Sequence, residues 1–283
     1  MHIQSLYIKD FKNIKEQTFD LSTHNGLTLL IGNNGCGKSN LLESISYIFF
    51  KLYQNEKDFS IDFALKYKMF DNSDVDIKFQ DNELVENIQS YPKRVIAIYS
   101  GEEQRMWSKY YSPIYSSYIK SINRQAQDGT LPQMLYLSKL MWNIALLSLL
   151  CSEAEDNQSF VREFLGITEV NKIEFTIQHD NDAEYKGSPI LNLVGKLAKA
   201  SHYTLDEFKQ IVDYIDINTI FIYLYIASAF YKKNSVLKNI VITFNGGLTI
   251  KDLSEGQKKL MLVKEALEFA GAENTLYLLD EPD

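Results

Sequence analysis

Residues 32–39, Gly32-Asn33-Asn34-Gly35-Cys36-Gly37-Lys38-Ser39, restrict what this chain can become more than any other stretch. An apolar run at residues 27–31 precedes them and predicts a buried strand. Leu41, Leu42, Ile45, Ile48, Phe49 and Leu52 follow at helical spacing. Strand, glycine loop and helix together form the setting in which G-x-x-x-x-G-K-[ST] cradles phosphate. Glycines let backbone N–H groups curl around an anion, and the helix points its partial positive end at the same place. Lys38 is then placed to reach the β- and γ-phosphates and Ser39 to hold Mg²⁺. Asn33, Asn34, Gly35, Cys36 and Gly37 line the same loop. A plain glycine turn explains the glycines but not the lysine, the serine and the flanks together.

With 283 residues, 45% of them hydrophobic, the chain can bury one or two cores. A net charge of −8 argues against bulk attraction to nucleic acid and leaves room for a local basic groove. Cys36 and Cys151 are too few for a disulfide framework and read as free thiols in a reducing compartment. The N-terminus lacks a signal-peptide pattern. Two apolar runs, residues 134–150 and 217–231, invite a membrane reading. The first carries Lys139 and Asn143, and the second falls short of the roughly 18 residues a span needs. Buried helices explain both, so a cytoplasmic protein without membrane contact is expected.

Along the chain, residues 1–21 predict two short strands around Asp10-Phe11-Lys12-Asn13. Phe63, Leu65, Tyr67 and Met69, then Val75, Ile77 and Phe79, alternate with polar neighbours across the turn at residues 71–74. They predict antiparallel strands with one wet face. Residues 95–99 form an unbroken apolar strand leading to Gln104. From 105 to 238 the pattern turns helical, over 113–127, 132–151, 158–165, 189–200, 205–215 and 218–233, with a capping-box pattern at Thr204 and Glu207. One strand, residues 172–177, interrupts and could pair with 239–244. No sustained heptads, repeats or low-complexity linkers occur, so a mainly helical insertion is expected rather than a long coiled coil.

The tail carries two further motifs. Leu253-Ser254-Glu255-Gly256-Gln257 precedes an amphipathic helix, and Leu276-Tyr277-Leu278-Leu279 ends in Asp280-Glu281. Such a strand delivers a carboxylate to its C-terminal tip, where parallel α/β sheets place their ligands. Asp280 is expected to take Mg²⁺ opposite Ser39. Glu281 is the candidate base that polarises the attacking water.

Together these three motifs resemble the ATP-binding-cassette (ABC) ATPases, and more narrowly the branch containing RecF, the SMC proteins and the overcoming-lysogenization-defect nucleases. Residues 8–14, Ile-Lys-Asp-Phe-Lys-Asn-Ile, and residues 253–262 are particularly RecF-like. The resemblance covers residues 1–104 and 239–283. It implies an α/β phosphate-loop ABC ATPase head with a mixed central sheet and an antiparallel N-terminal sheet, while residues 105–238 form the inserted helical lobe. It also implies a two-fold homodimer with ATP sandwiched between heads, where Ser254 and Gly256 of one subunit close on the γ-phosphate held by Lys38 of the other. A simple helix N-cap would give Ser254 the same sequence. Gln104 matches the family's glutamine that contacts metal and water, although Gln80 also follows a strand. Lys12 matches a phosphate-sensing basic residue and reads equally as a solvated turn lysine. Asn40 is a candidate for the pocket wall.

The family continues past its Asp-Glu-Pro run to a further strand with a switch histidine, and none of His2, His24, His179 or His202 is placed to substitute. Weak ATP turnover by these residues alone is therefore expected. Three functions compete: an ATP-gated head serving DNA repair or anti-phage defence through an effector nuclease, an ATP sensor or scaffold with little turnover, and a transporter's nucleotide-binding subunit. The long span between Lys38 and Leu253 disfavours the transporter. DNA is a candidate partner through Arg105, Trp107, Lys109, Tyr110, Tyr111, Tyr115, Tyr118, Lys120 and Arg124, which interleave rings and cations. A stripe of aromatics packed in a core is the competing reading.

Overall fold

The computed structural model describes residues 1–22, 27–33, 35–86, 91–99, 105–120, 131–178, 186–213, 215–228, 235–271 and 274–280. Five antiparallel strands open the fold: β1 (His2–Phe11), β2 (Ile14–Asp20), β3 (Phe63–Lys68), β4 (Asp74–Gln80) and β5 (Glu83–Glu86). They lie in the order β2-β1-β3-β4-β5. The alternation predicted for β3 and β4 is what the sheet uses: Leu65 faces Ile77 and Phe63 faces Phe79, with all four buried. Pairing of Phe11 with Ile14 leaves Lys12-Asn13 as a two-residue turn, with Lys12 in the left-handed region at φ 54°.

A second sheet is parallel. Its strands β6 (Arg94–Tyr99), β7 (Met134–Leu137) and β10 (Thr275–Asp280) run in the order β10-β6-β7. Every residue of β6 is buried, as a central parallel strand requires. Asn274 ties the two sheets together: its Oδ1 accepts from the Phe70 N–H (2.6 Å) and its carbonyl from the Lys93 N–H (3.1 Å). A third, two-stranded sheet pairs β8 (Val170–Ile177) with β9 (Leu237–Phe244) antiparallel, as their shared alternation predicts.

Between the antiparallel sheet and the segment after residue 104 runs α1 (Lys38–Tyr53). Phe49 meets Tyr67 of β3, while Tyr47 meets Tyr110 and Ser46 Oγ lies 3.0 Å from the Tyr111 hydroxyl. Residues Trp107–Tyr111 form a π-helical turn that continues as α2 (Ser112–Lys120). Among the described residues the remaining α-helices are α3 (Trp142–Cys151), α4 (Glu155–Ser159), α5 (Pro189–Leu197), α6 (Leu205–Val212), α7 (Ile217–Ser228) and α8 (Glu255–Glu265). α3 packs on α7 and α8, so the apolar helices α3 and α7 bury against one another. Among the described residues no single helix is long and apolar enough to cross a membrane.

Two expectations change, and the two readings of the aromatic stripe are decided. Residues 27–31 form no strand, and Leu27, Leu29 and Ile31 are 79%, 71% and 88% exposed, while Leu30 alone turns inward. An apolar run needs a ladder on its edges and cover on its faces, and the described residues give it neither. The apolar stretch 132–151 is not one helix: residues 134–137 join the parallel sheet, and Ser138 caps a 3₁₀ turn that leads into α3. Unbroken apolar runs look alike in buried strands and buried helices. The aromatic residues Trp107, Tyr110, Tyr111, Tyr115 and Tyr118 are all buried, so the interleaved stripe is core. Lys120 is described in backbone only, and Arg124 lies outside the described residues.

Candidate nucleotide site

The glycine loop needs its glycines for geometry. Gly35 and Gly37 hold φ of 82° and 105°, and a Cβ on Gly32 would lie 2.6 Å from Cys36 Sγ. Gly37 is also the residue before α1. It offers no side-chain cap, and the first turn of α1 itself carries no acid. Cys36 is exposed and Asn33 accepts its N–H at 3.2 Å, which closes the loop on itself. The Lys38 ammonium is turned over the loop, donating to the carbonyls of Gly32 (2.6 Å) and Asn33 (3.2 Å).

Ser39 and Asp280, 241 positions apart in sequence, meet directly: Ser39 Oγ donates to Asp280 Oδ1 at 3.0 Å. The parallel register of β10 on β6 delivers that carboxylate, pairing Asp280 with Tyr99 at the C-terminal edge of the sheet. One hydroxyl and one carboxylate are hard oxygen donors of the kind Mg²⁺ accepts alongside substrate phosphates and water. Among the described residues no cluster of three His, Cys, Asp or Glu offers a different metal site.

Lys12, Asn13 and Asn40 join the loop from the side. Asn40 Nδ2 donates to Asn13 Oδ1 (2.7 Å), Lys12 Nζ to Asn40 Oδ1 (3.4 Å), and the Asn13 carboxamide lies 3.0–3.1 Å from where a Gly37 Cβ would stand. Lys12 also pairs with Glu43, a residue that the sequence reading passed over because it looked like one polar position on an apolar helix. The contacts of Ser254 run elsewhere. It caps α8 in a reciprocal box with Gln257, whose Nε2 donates to the Phe164 carbonyl at 2.9 Å, and Gly256 occupies the first turn of that helix. Gln80 sits at the β4–β5 hairpin of the antiparallel sheet. Asn34, Gln104 and Glu281 lie outside the described residues.

A glycine loop, a helix start and a serine hydrogen-bonded to a strand-end carboxylate are the parts from which phosphate-loop nucleoside triphosphatases build their sites. The profile described as the RecF/RecN/SMC N-terminal domain matches residues 2–283, so the chain belongs to that family of ABC-type ATPase heads. It is 44% identical over 48 residues to the DNA replication and repair protein RecF of Picosynechococcus sp., covering 17% of this chain and 12% of that protein. Over 48 residues it is 46% identical to the chromosome partition protein Smc of Cereibacter sphaeroides, covering 17% and 4%. RecF of Leptospira biflexa is 43% identical over 58 residues, covering 20% and 15%. The matched stretch is thus a small part of each relative's length. No solved structure matches the chain.

Proposed function

We propose that this chain binds and hydrolyses ATP as a RecF/SMC-like head, and that two copies close around the nucleotide to gate a DNA-repair or anti-phage activity through an effector nuclease. The observation that carries the reading is the Ser39–Asp280 hydrogen bond, which unites the loop serine and the strand-end carboxylate at one point. Residues 1–104 and 239–283 would make the head and residues 105–238 a mainly helical insertion, one strand of which, β7, joins the head's parallel sheet beside β6. Lys38 and the loop N–H groups hold the β- and γ-phosphates, and Ser39 and Asp280 hold Mg²⁺, with Gln104 as a further metal contact. Bound Mg²⁺ supplies neutralisation of phosphate charge. Glu281 orients and polarises the attacking water, and Ser254 and Gly256 contribute from the second copy. The DNA-related role rests on the likeness to the DNA replication and repair protein RecF and the chromosome partition protein Smc.

Glu281→Gln separates binding from hydrolysis. With MgATP this variant should elute from a sizing column at twice the mass seen without nucleotide, and its turnover should fall by about a hundredfold or more. A variant that stays monomeric with bound ATP would remove the closing step. Unchanged turnover would remove Glu281 from the chemistry.

A further inference from the structure

Glu43 lies in the second turn of α1, five residues past Lys38, with its side chain 1% exposed. A carboxylate so deeply buried needs partners on every side, and this one gathers them from two separate segments. Lys12 pairs with its Oε2 from the β1–β2 turn. Arg105 Nε approaches the same oxygen at 3.4 Å, Lys109 Nζ stands 3.8 Å from Oε1, and the Tyr110 hydroxyl donates to Oε1 at 3.3 Å. Burial and then the Glu43 charge push the Tyr110 phenol up, so it stays a neutral donor.

The consequence falls on the glycine loop. Lys12 holds a left-handed backbone conformation that a lysine rarely adopts unaided, and its neighbour Asn13 covers Gly37. We propose that Glu43 is a positioning residue of the nucleotide site: its buried carboxylate anchors the Lys12-Asn13 turn against Gly37 and Asn40, keeping the Lys12 ammonium beside the phosphate-binding loop. Without that charge, Lys12, Arg105 and Lys109 repel one another, and Lys12, whose side chain is the least exposed of the three, turns out into solvent. This inference rests on the nucleotide reading of the loop.

The test measures MgATP affinity by isothermal titration for the wild type, Lys38→Ala, Glu43→Gln, Lys12→Met and the Lys12→Met/Glu43→Gln pair, with melting curves for each. Glu43→Gln should weaken binding about tenfold, the size of one charge-assisted hydrogen bond. Lys12→Met should weaken it similarly, and the double variant should be no weaker than Lys12→Met alone. A merely structural role would add to the Lys12→Met loss. Equal or tighter binding by Glu43→Gln, or a fully additive double variant, overturns the proposal while leaving the site intact. If Glu43→Gln does not fold, Lys12→Met at its exposed turn decides alone, and full affinity there overturns the proposal. If the wild type binds no MgATP, or Lys38→Ala binds as well as the wild type, the nucleotide reading has failed and Glu43 falls with it.

Discussion

Lys38→Ala should lower MgATP affinity by at least about a hundredfold, on the order of 3 kcal/mol. The size follows from what the loop contains. Its other donors are backbone N–H groups and a helix end, each a partial charge, whereas Lys38 brings a full positive charge already curled over the loop onto the Gly32 and Asn33 carbonyls. Alanine keeps the helix start, because it is the best helix former and Lys38 is only the first residue of α1. The melting temperature should therefore stay put while binding collapses. Asp280→Asn supplies the contrast. It keeps an oxygen near Ser39 but removes the charge, so it should cost affinity with Mg²⁺ present and little when the metal is chelated. Titration calorimetry on both variants, with and without chelator, reads this out. Affinity for Lys38→Ala within threefold of the wild type would mean that the loop is not where the phosphates go.

The second large effect concerns stability. Glu265, the last residue of α8, is fully buried, and neither carboxyl oxygen has a hydrogen bond of ordinary geometry. Burial pushes its pKa well above the usual carboxylate range. Ser148 opposes this as a hydrogen-bonding neighbour, and the charge of Glu268 adds to it. The Ser148 hydroxyl is itself without a well-formed bond, so burial dominates. A group whose folded pKa is raised stabilises the fold only while it stays protonated. That contribution is complete below the unfolded value near ~4.3 and is lost as pH rises toward and through the folded value. Glu265→Met fills the same space without a polar atom and should raise stability at neutral pH by about 1–3 kcal/mol, or roughly 2–4 °C per kcal/mol in melting temperature. The gain should be small near pH 4 and grow toward pH 7. A gain that does not change with pH would show that packing, not ionisation, sets the cost.

How far the sequence could be read depended on whether a residue's role was local. Strands β3 and β4 were legible because a half-wet sheet imposes a period of two. β8 and β9 were legible for the same reason, and Thr204 with Glu207 because a capping box is spelled within four residues. Ser39 and Asp280 were legible as a pair because each sits at the end of a regular element with a fixed exit. Glu43 was not: its meaning comes from Lys12, Arg105 and Lys109, brought to it by tertiary packing that no spacing announces. β7 was hidden inside an apolar run, where burial on all sides erases the period. The π-helical turns at Trp107–Tyr111, Phe160–Phe164 and Ala266–Ala270 were also beyond reach, since helical preference does not distinguish a bond to the fifth residue from one to the fourth.

Leu27, Leu29 and Ile31 are exposed just ahead of the glycine loop, while Leu30 packs partly against the core. Large aliphatic side chains held in water are adhesive toward other apolar surface. The stretch that leads into the phosphate grip is thus prone to clumping at high concentration.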